Sequence, residues 1–196
     1  MATDRIMMMR DVINRNKRLK VVFPWLRKNP NNDDWGKHSL TVARNSYSKD
    51  SSIEAKGILT SGTGGRADEL FFDDVVDLKN SIIHPAEREQ VRRAFANVWM
   101  NLLEDNGRVM YVGQKWHEED LTHFLMKHPE WHFIDDSINA NLDPIWAEKW
   151  NHAALLRLRS DIGTIDFSRC FQGVLISDSE ATIQSSWFKW ADKGVA

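Results

Sequence analysis

Leu70-Phe71-Phe72-Asp73-Asp74 is an apolar run that stops abruptly at two carboxylates. A buried-type strand with acids at its end places those acids at the carboxyl edge of a parallel sheet, where open α/β folds bind their ligands. In phosphoryl-transfer chemistry the first acid of such a pair holds a magnesium ion and the next orients the attacking water. Two acids that simply end a strand in solvent give the same five letters, so the neighbours have to be weighed.

Upstream, residues 4–18 read as a short basic helix, followed by an extended Val21-Val22-Phe23 that Pro24 ends. Residues 27–37 are a polar loop. Ser39 to Ala43 and Glu54 to Thr60 read as two short strands, and Ser61-Gly62-Thr63-Gly64-Gly65 as a glycine-rich turn. Downstream, Pro85 opens a long helix whose apolar face is Val91, Phe95, Val98, Trp99 and Leu102. Gly107 is a turn before a strand over Val109 to Val112. His117 to Lys127 reads as a helix with Leu121, Phe124 and Leu125 inward, and Trp131 to Ile134 as a short strand. After a loop at Asp143-Pro144, helices are expected near 151–161 and 164–172. Strands alternating with helices predict an α/β fold with a mainly parallel sheet flanked by helices.

The chain has 196 residues, enough to bury a core, and a formal charge of −2. That balance gives no global reason for nucleic-acid or membrane binding, so a DNA contact would need a local patch or a partner. Cys170 is the single cysteine, which excludes an internal disulfide and a multi-cysteine zinc site and fits a reducing cytoplasm. No signal peptide is visible, and no apolar run approaches the roughly 18 residues that span a bilayer. Nine tryptophans are scattered along the chain, a packing pattern and not a stacking ladder.

Three neighbours of the acid pair stand in a definite order. Gly65-Arg66-Ala67-Asp68 precedes it. Gly107-Arg108-Val109-Met110-Tyr111-Val112-Gly113 follows, ending in Gln114-Lys115-Trp116-His117. Glu118-Glu119-Asp120-Leu121 opens the next helix. Further on come Trp146-Ala147-Glu148-Lys149-Trp150, Gly163-Thr164 and Asp166-Phe167-Ser168-Arg169, and upstream stand Phe23-Pro24, Trp35 and Ser51-Ser52-Ile53 with Gly57. In joint order and spacing, across nearly the whole chain, this pattern resembles the large terminase subunit of tailed phages.

The resemblance implies a partial P-loop NTPase of the additional-strand type, driving DNA into a procapsid with ATP and Mg2+. By position, Asp73 looks like the Walker B magnesium ligand and Asp74 like the catalytic carboxylate, with the Walker B segment at 70–74. Arg66 is the candidate charge-stabilising arginine, acting on a neighbouring subunit's nucleotide; a turn arginine bonded to local carbonyls or to Asp68 is the plainer reading. Gly113 and Gln114, in a coupling segment near 109–117, would sense the γ-phosphate. By the same resemblance, residues 1–176 would correspond to the C-terminal portion of the ATPase domain and 177–196 to a linker toward a nuclease domain absent from these 196 residues. The implied partners are an upstream terminase fragment bearing Walker A, double-stranded DNA, the small subunit, the portal protein and a homo-oligomeric ring. No membrane is implied, and the location would be the cytoplasm of the infected host cell.

The pattern departs from that family in three places. Gln114 stands where relatives carry Thr or Ser, and Asp74 where many carry Glu. No Gly-x4-Gly-Lys-Ser/Thr loop is present. Trp35-Gly36-Lys37-His38-Ser39 has Asn31 where the first glycine belongs, and the turn at 61–65 has no lysine. The expectation is therefore a shared site, inactive alone, in a split gene product, a decayed fragment or a cut chain. A sheet without its P-loop strand would expose an edge and apolar surface. Two other readings stay open: a metal-dependent hydrolase built on Asp73, Asp74, His84 and His117, and a non-catalytic assembly or scaffold piece. Against the first, His117 and His123 would lie about 600° apart on a helix, well off one face.

Overall fold

The acid doublet ends a strand that pairs in parallel with a second one. A computed structural model describes residues 2–45, 47–62 and 64–175 of the chain. The linker expected over 177–196 lies outside them. The architecture is mixed α/β with a small parallel sheet flanked by helices, and the chain divides into two units, Met1–Val75 with Gln90–Val112 and Val76–Glu89 with Gly113–Ala196.

The first unit opens with α1 (Ala2–Arg15) and α2 (Lys17–Val22). The Asn16 side chain separates them by accepting from Leu19 N at 3.0 Å, which caps α2. Val21 and Val22 are therefore the last turn of α2 and not the extended segment expected from their β-branching. The cap and the preceding Lys-Arg-Leu-Lys outweigh a weak local propensity. Ile6 and Ile13 are the buried residues of α1.

The polar stretch 27–37 is organised by one residue. Asp34 accepts from Thr41 Oγ1 at 2.8 Å, from Ser51 Oγ at 2.6 Å and from Ser39 Oγ. It gathers β1 (Ser39–Leu40) and β2 (Ile53–Glu54), which pair antiparallel. Both are shorter than expected. Past Glu54 the chain turns at Gly57, whose carbonyl accepts from Thr60 N and Thr60 Oγ1.

β3 (Ala67–Asp73) and β4 (Leu103–Val112) pair in parallel from Glu69↔Arg108 to Asp73↔Val112. The turn expected at Gly107 is instead an irregularity within β4: Ala67 faces Leu103, yet Glu69 already faces Arg108. A Cβ on Gly107 would sit 2.5 Å from Leu103 Cδ1 and 2.9 Å from the Glu104 carbonyl, so only glycine lets the extra residues fold back there. Between the strands, helical backbone runs from Pro85 to Leu102: α3 (Pro85–Ala94), a wide π-type turn over Phe95–Trp99 and a tight 3₁₀ turn over Met100–Leu102. Val91, Phe95 and Trp99 are its buried residues, as their spacing predicts. Phe95 meets Phe72 of β3 with ring centroids 5.0 Å apart, and Trp99 Nε1 donates to the Ile58 carbonyl at 2.8 Å. On the other face of the strand pair, Phe71 and Met110 are direct partners and are 61% and 60% exposed.

In the second unit, a π-type turn over Lys79–Ile83 precedes the start of α3. Further on, α4 (Leu121–Met126) begins four residues later than the helix expected from 117. Its buried residues include Leu121 and Leu125, whereas Phe124 faces solvent. Residues 131–134 form no strand. α5 (His152–Ile162) and α6 (Thr164–Phe171) fall where expected. They bury Leu155 and Phe167 with Leu142, and Trp150 and Phe171 pack against this cluster.

Candidate functional site

Strand pairing fixes the acid doublet. Asp73 is the last residue of β3 and the register partner of Val112. Its carboxylate lies 3.6 Å from the Arg5 guanidinium of α1, and both side chains are substantially exposed. Asp74 leaves the strand with φ +48, and its N–H donates to the Val112 carbonyl at 3.0 Å. A left-handed residue directly after a strand turns the chain away from the ladder. Aspartate tolerates that conformation better than most side chains. The two carboxylates thus belong to one end of one strand but leave it differently, one from extended backbone and one from a reversed turn.

Arg66 is not beside them. It precedes β3 and pairs with Glu104 near the start of β4 at 3.3 Å. At the rise of an extended strand that is roughly 20 Å from Asp73. Its partner is the Glu104 carboxylate, not Asp68.

Gly113 and Gln114 directly follow β4 in sequence and are exposed. The Gln114 carbonyl accepts from Thr122 Oγ1 at 2.8 Å, which ties this segment to α4. The residue that shapes the segment is Asp120, which the motif reading placed at the opening of the helix without giving it a role. Asp120, fully buried, accepts from Trp116 N at 2.8 Å and His117 N at 2.9 Å through Oδ2, and from His123 N at 2.7 Å through Oδ1. It closes the turn 116–120 and caps α4 in one stroke. An aspartate immediately before Leu-Thr-His-Phe-Leu was a legible capping signal. Lys115, next along, pairs with Asp135 at 3.1 Å. Hydrogen bonds from Ser137, partly offset by burial, and the charge of Lys115 hold the Asp135 carboxyl below its ordinary value. Lys115 passes so close to Gly173 (φ +61) that a Cβ there would lie 2.8 Å from Nζ.

His117 serves a local turn through its side chain, and His84 through its main chain. His117 Nδ1 accepts from Glu119 N at 3.0 Å, and His84 N donates to the Lys79 carbonyl at 2.8 Å. Among the described residues no three His, Cys, Asp or Glu side chains converge as a metal cage. Zinc-type hydrolysis asks for such a cage. Magnesium asks for less, one or two carboxylates with waters and substrate phosphates completing its shell. No family model and no curated protein matches the chain.

Proposed function

We propose that this chain is part of a viral DNA-packaging terminase large subunit, contributing the Walker B acid, the catalytic acid and the coupling segment to a P-loop ATPase site completed by a Walker A-bearing partner. The observation that carries the reading is the acid doublet at the carboxyl end of β3, in parallel register with β4 across a helical connection. The exposed Phe71–Met110 pair supports the need for a partner, because parallel strands are ordinarily covered on both faces and joined by further strands.

In this reading Asp73 holds Mg2+, which when bound neutralises charge on the nucleotide phosphates. Asp74 orients the attacking water and accepts its proton, its carboxylate set off the ladder by the left-handed backbone. Gly113 and Gln114 relay the state of the γ-phosphate to α4 through the Gln114–Thr122 hydrogen bond. Arg66 stabilises charge on a neighbouring subunit's nucleotide in a homo-oligomeric ring; its distance from Asp73 within one chain supports action in trans. The small subunit, the portal protein and double-stranded DNA complete the machine, in the cytoplasm of the infected host cell. No helix of the described residues is long and apolar enough to cross a membrane.

ATP turnover of the full chain is the test, measured alone and with the upstream gene product co-expressed. Turnover that needs the partner and disappears in Asp73→Ala supports the reading. Turnover retained in both Asp73→Ala and Asp74→Ala removes it.

A further inference from the structure

The charge of this protein is unevenly spread. Eight of its 26 Lys and Arg residues fall within the first 28 positions, opposed there only by Asp4 and Asp11, although the whole chain is at −2. A basic arm on a mildly acidic protein is an electrostatic footprint that net charge hides. The structure sorts these cations. Arg5 is engaged by Asp73, Arg10 lies 4.0 Å from Asp11, and Lys28 pairs with Asp33. Arg15, Lys17, Arg18, Lys20 and Arg27 are exposed and make no ion pair among the described residues. Four of them flank the Asn16 junction within six consecutive positions. Cations this close repel one another, and among the described residues no carboxylate pairs with them. Just beyond stand Phe23 and Trp25, packed edge to face at 5.7 Å, with Trp25 62% exposed.

We infer that the α1–α2 elbow, through Arg15, Lys17, Arg18, Lys20 and Arg27, is a binding surface for the phosphodiester backbone of a nucleic acid. Backbone phosphates repeat at a spacing that a cluster of long, mobile cationic side chains can track without a preformed pocket, and counterion release favours the contact. The exposed aromatic pair adds a stacking platform for bases that are not already stacked in a duplex. This rests on the charge distribution and not on the nucleotide site, and it deepens the proposed function by naming where this chain meets its polymer.

The experiment is fluorescence anisotropy of labelled oligonucleotides of about 30 nucleotides, duplex and single-stranded, titrated with the full chain at several salt concentrations. The expected result is sequence-independent binding whose log K falls with log salt at a slope of about −3 to −5. Lys17→Gln/Arg18→Gln/Lys20→Gln weakens it at least tenfold at low salt and flattens the slope by about 2 to 3. Lys149→Gln, outside the elbow, leaves it unchanged. Trp25→Ala weakens the single strand selectively if that is the form bound, and neither form selectively if the duplex is. Absence of binding at low salt overturns the inference, as does a triple variant with unaltered slope. Binding to vesicles of phosphatidylglycerol and phosphatidylcholine without binding to either oligonucleotide also overturns it. Asp73→Ala retains binding, so loss of turnover and loss of this surface are read separately.

Discussion

Arg5 of α1 holds its guanidinium 3.6 Å from the Asp73 carboxylate, so the first helix reaches the acid that ends β3. Both side chains are well exposed, and an exposed ion pair contributes about 0–1 kcal/mol to stability. Arg5→Ala should therefore leave the melting temperature nearly unchanged. In the completed enzyme it should lower the magnesium concentration for half-maximal turnover about two- to fivefold, since a competing cation is gone. A magnesium titration of both proteins checks this; an unchanged or raised half-saturation would separate Arg5 from the metal.

Asp74 combines a left-handed backbone with a proposed chemical role, and the two can be separated. Asp74→Asn keeps the local backbone preference and should melt within about 1 °C of the parent. Asp74→Val places a β-branched residue at φ +48 and should destabilise by roughly 1–2 kcal/mol. Both should nearly abolish partner-dependent ATP turnover. Denaturant unfolding beside the turnover assay distinguishes strain from chemistry.

Asp120 carries the turn before α4. Asp120→Ala leaves three amide donors without their acceptor in a buried place and should cost about 2–4 kcal/mol. Asp120→Asn, which keeps an acceptor oxygen, should recover part of that loss. Hydrogen exchange at His117 and His123 should rise in the alanine variant before global unfolding; protection equal to the parent's would show that the cap is dispensable.

Asp34 gives the stability a pH dependence. Burial pushes its carboxyl up, but hydrogen bonds from Ser39, Ser51 and Thr41 outweigh it and leave the group below its ordinary value. A carboxyl depressed in the folded state stabilises above the unfolded-state pKa, and that contribution fades as pH falls through the folded value. Ser51→Ala/Thr41→Val should lower stability at pH 7 by about 1–2 kcal/mol. The gap from the parent should narrow under strong acid, below the usual carboxylate range. Urea unfolding at neutral and acid pH measures both; a gap that stays constant would mean that Asp34 is not the group titrating.

The spacing of Val91, Phe95 and Trp99 and the paired helices at the end of the described chain were legible in the residues, because burial imposes a period that a sequence displays directly; the strand over the apolar run was legible too, although of Leu70, Phe71 and Phe72 only Phe72 is buried. The acid doublet was legible because it marks where the apolar run stops. What tertiary structure alone decided was the company these residues keep. Val21 and Val22 look extended but close a helix, because a cap three residues before Leu19 wins over local propensity. Gly107 looks like a turn but is folded into β4, because the parallel register has residues to spare there. Arg66 and Asp74 sit eight positions apart in sequence but belong to opposite ends of a strand, and Asp73 finds Arg5 from the far end of the chain segment before it. Side-chain period is a local property, written residue by residue; register and ion pairing depend on which distant segments meet, and that is settled only when the backbone has folded.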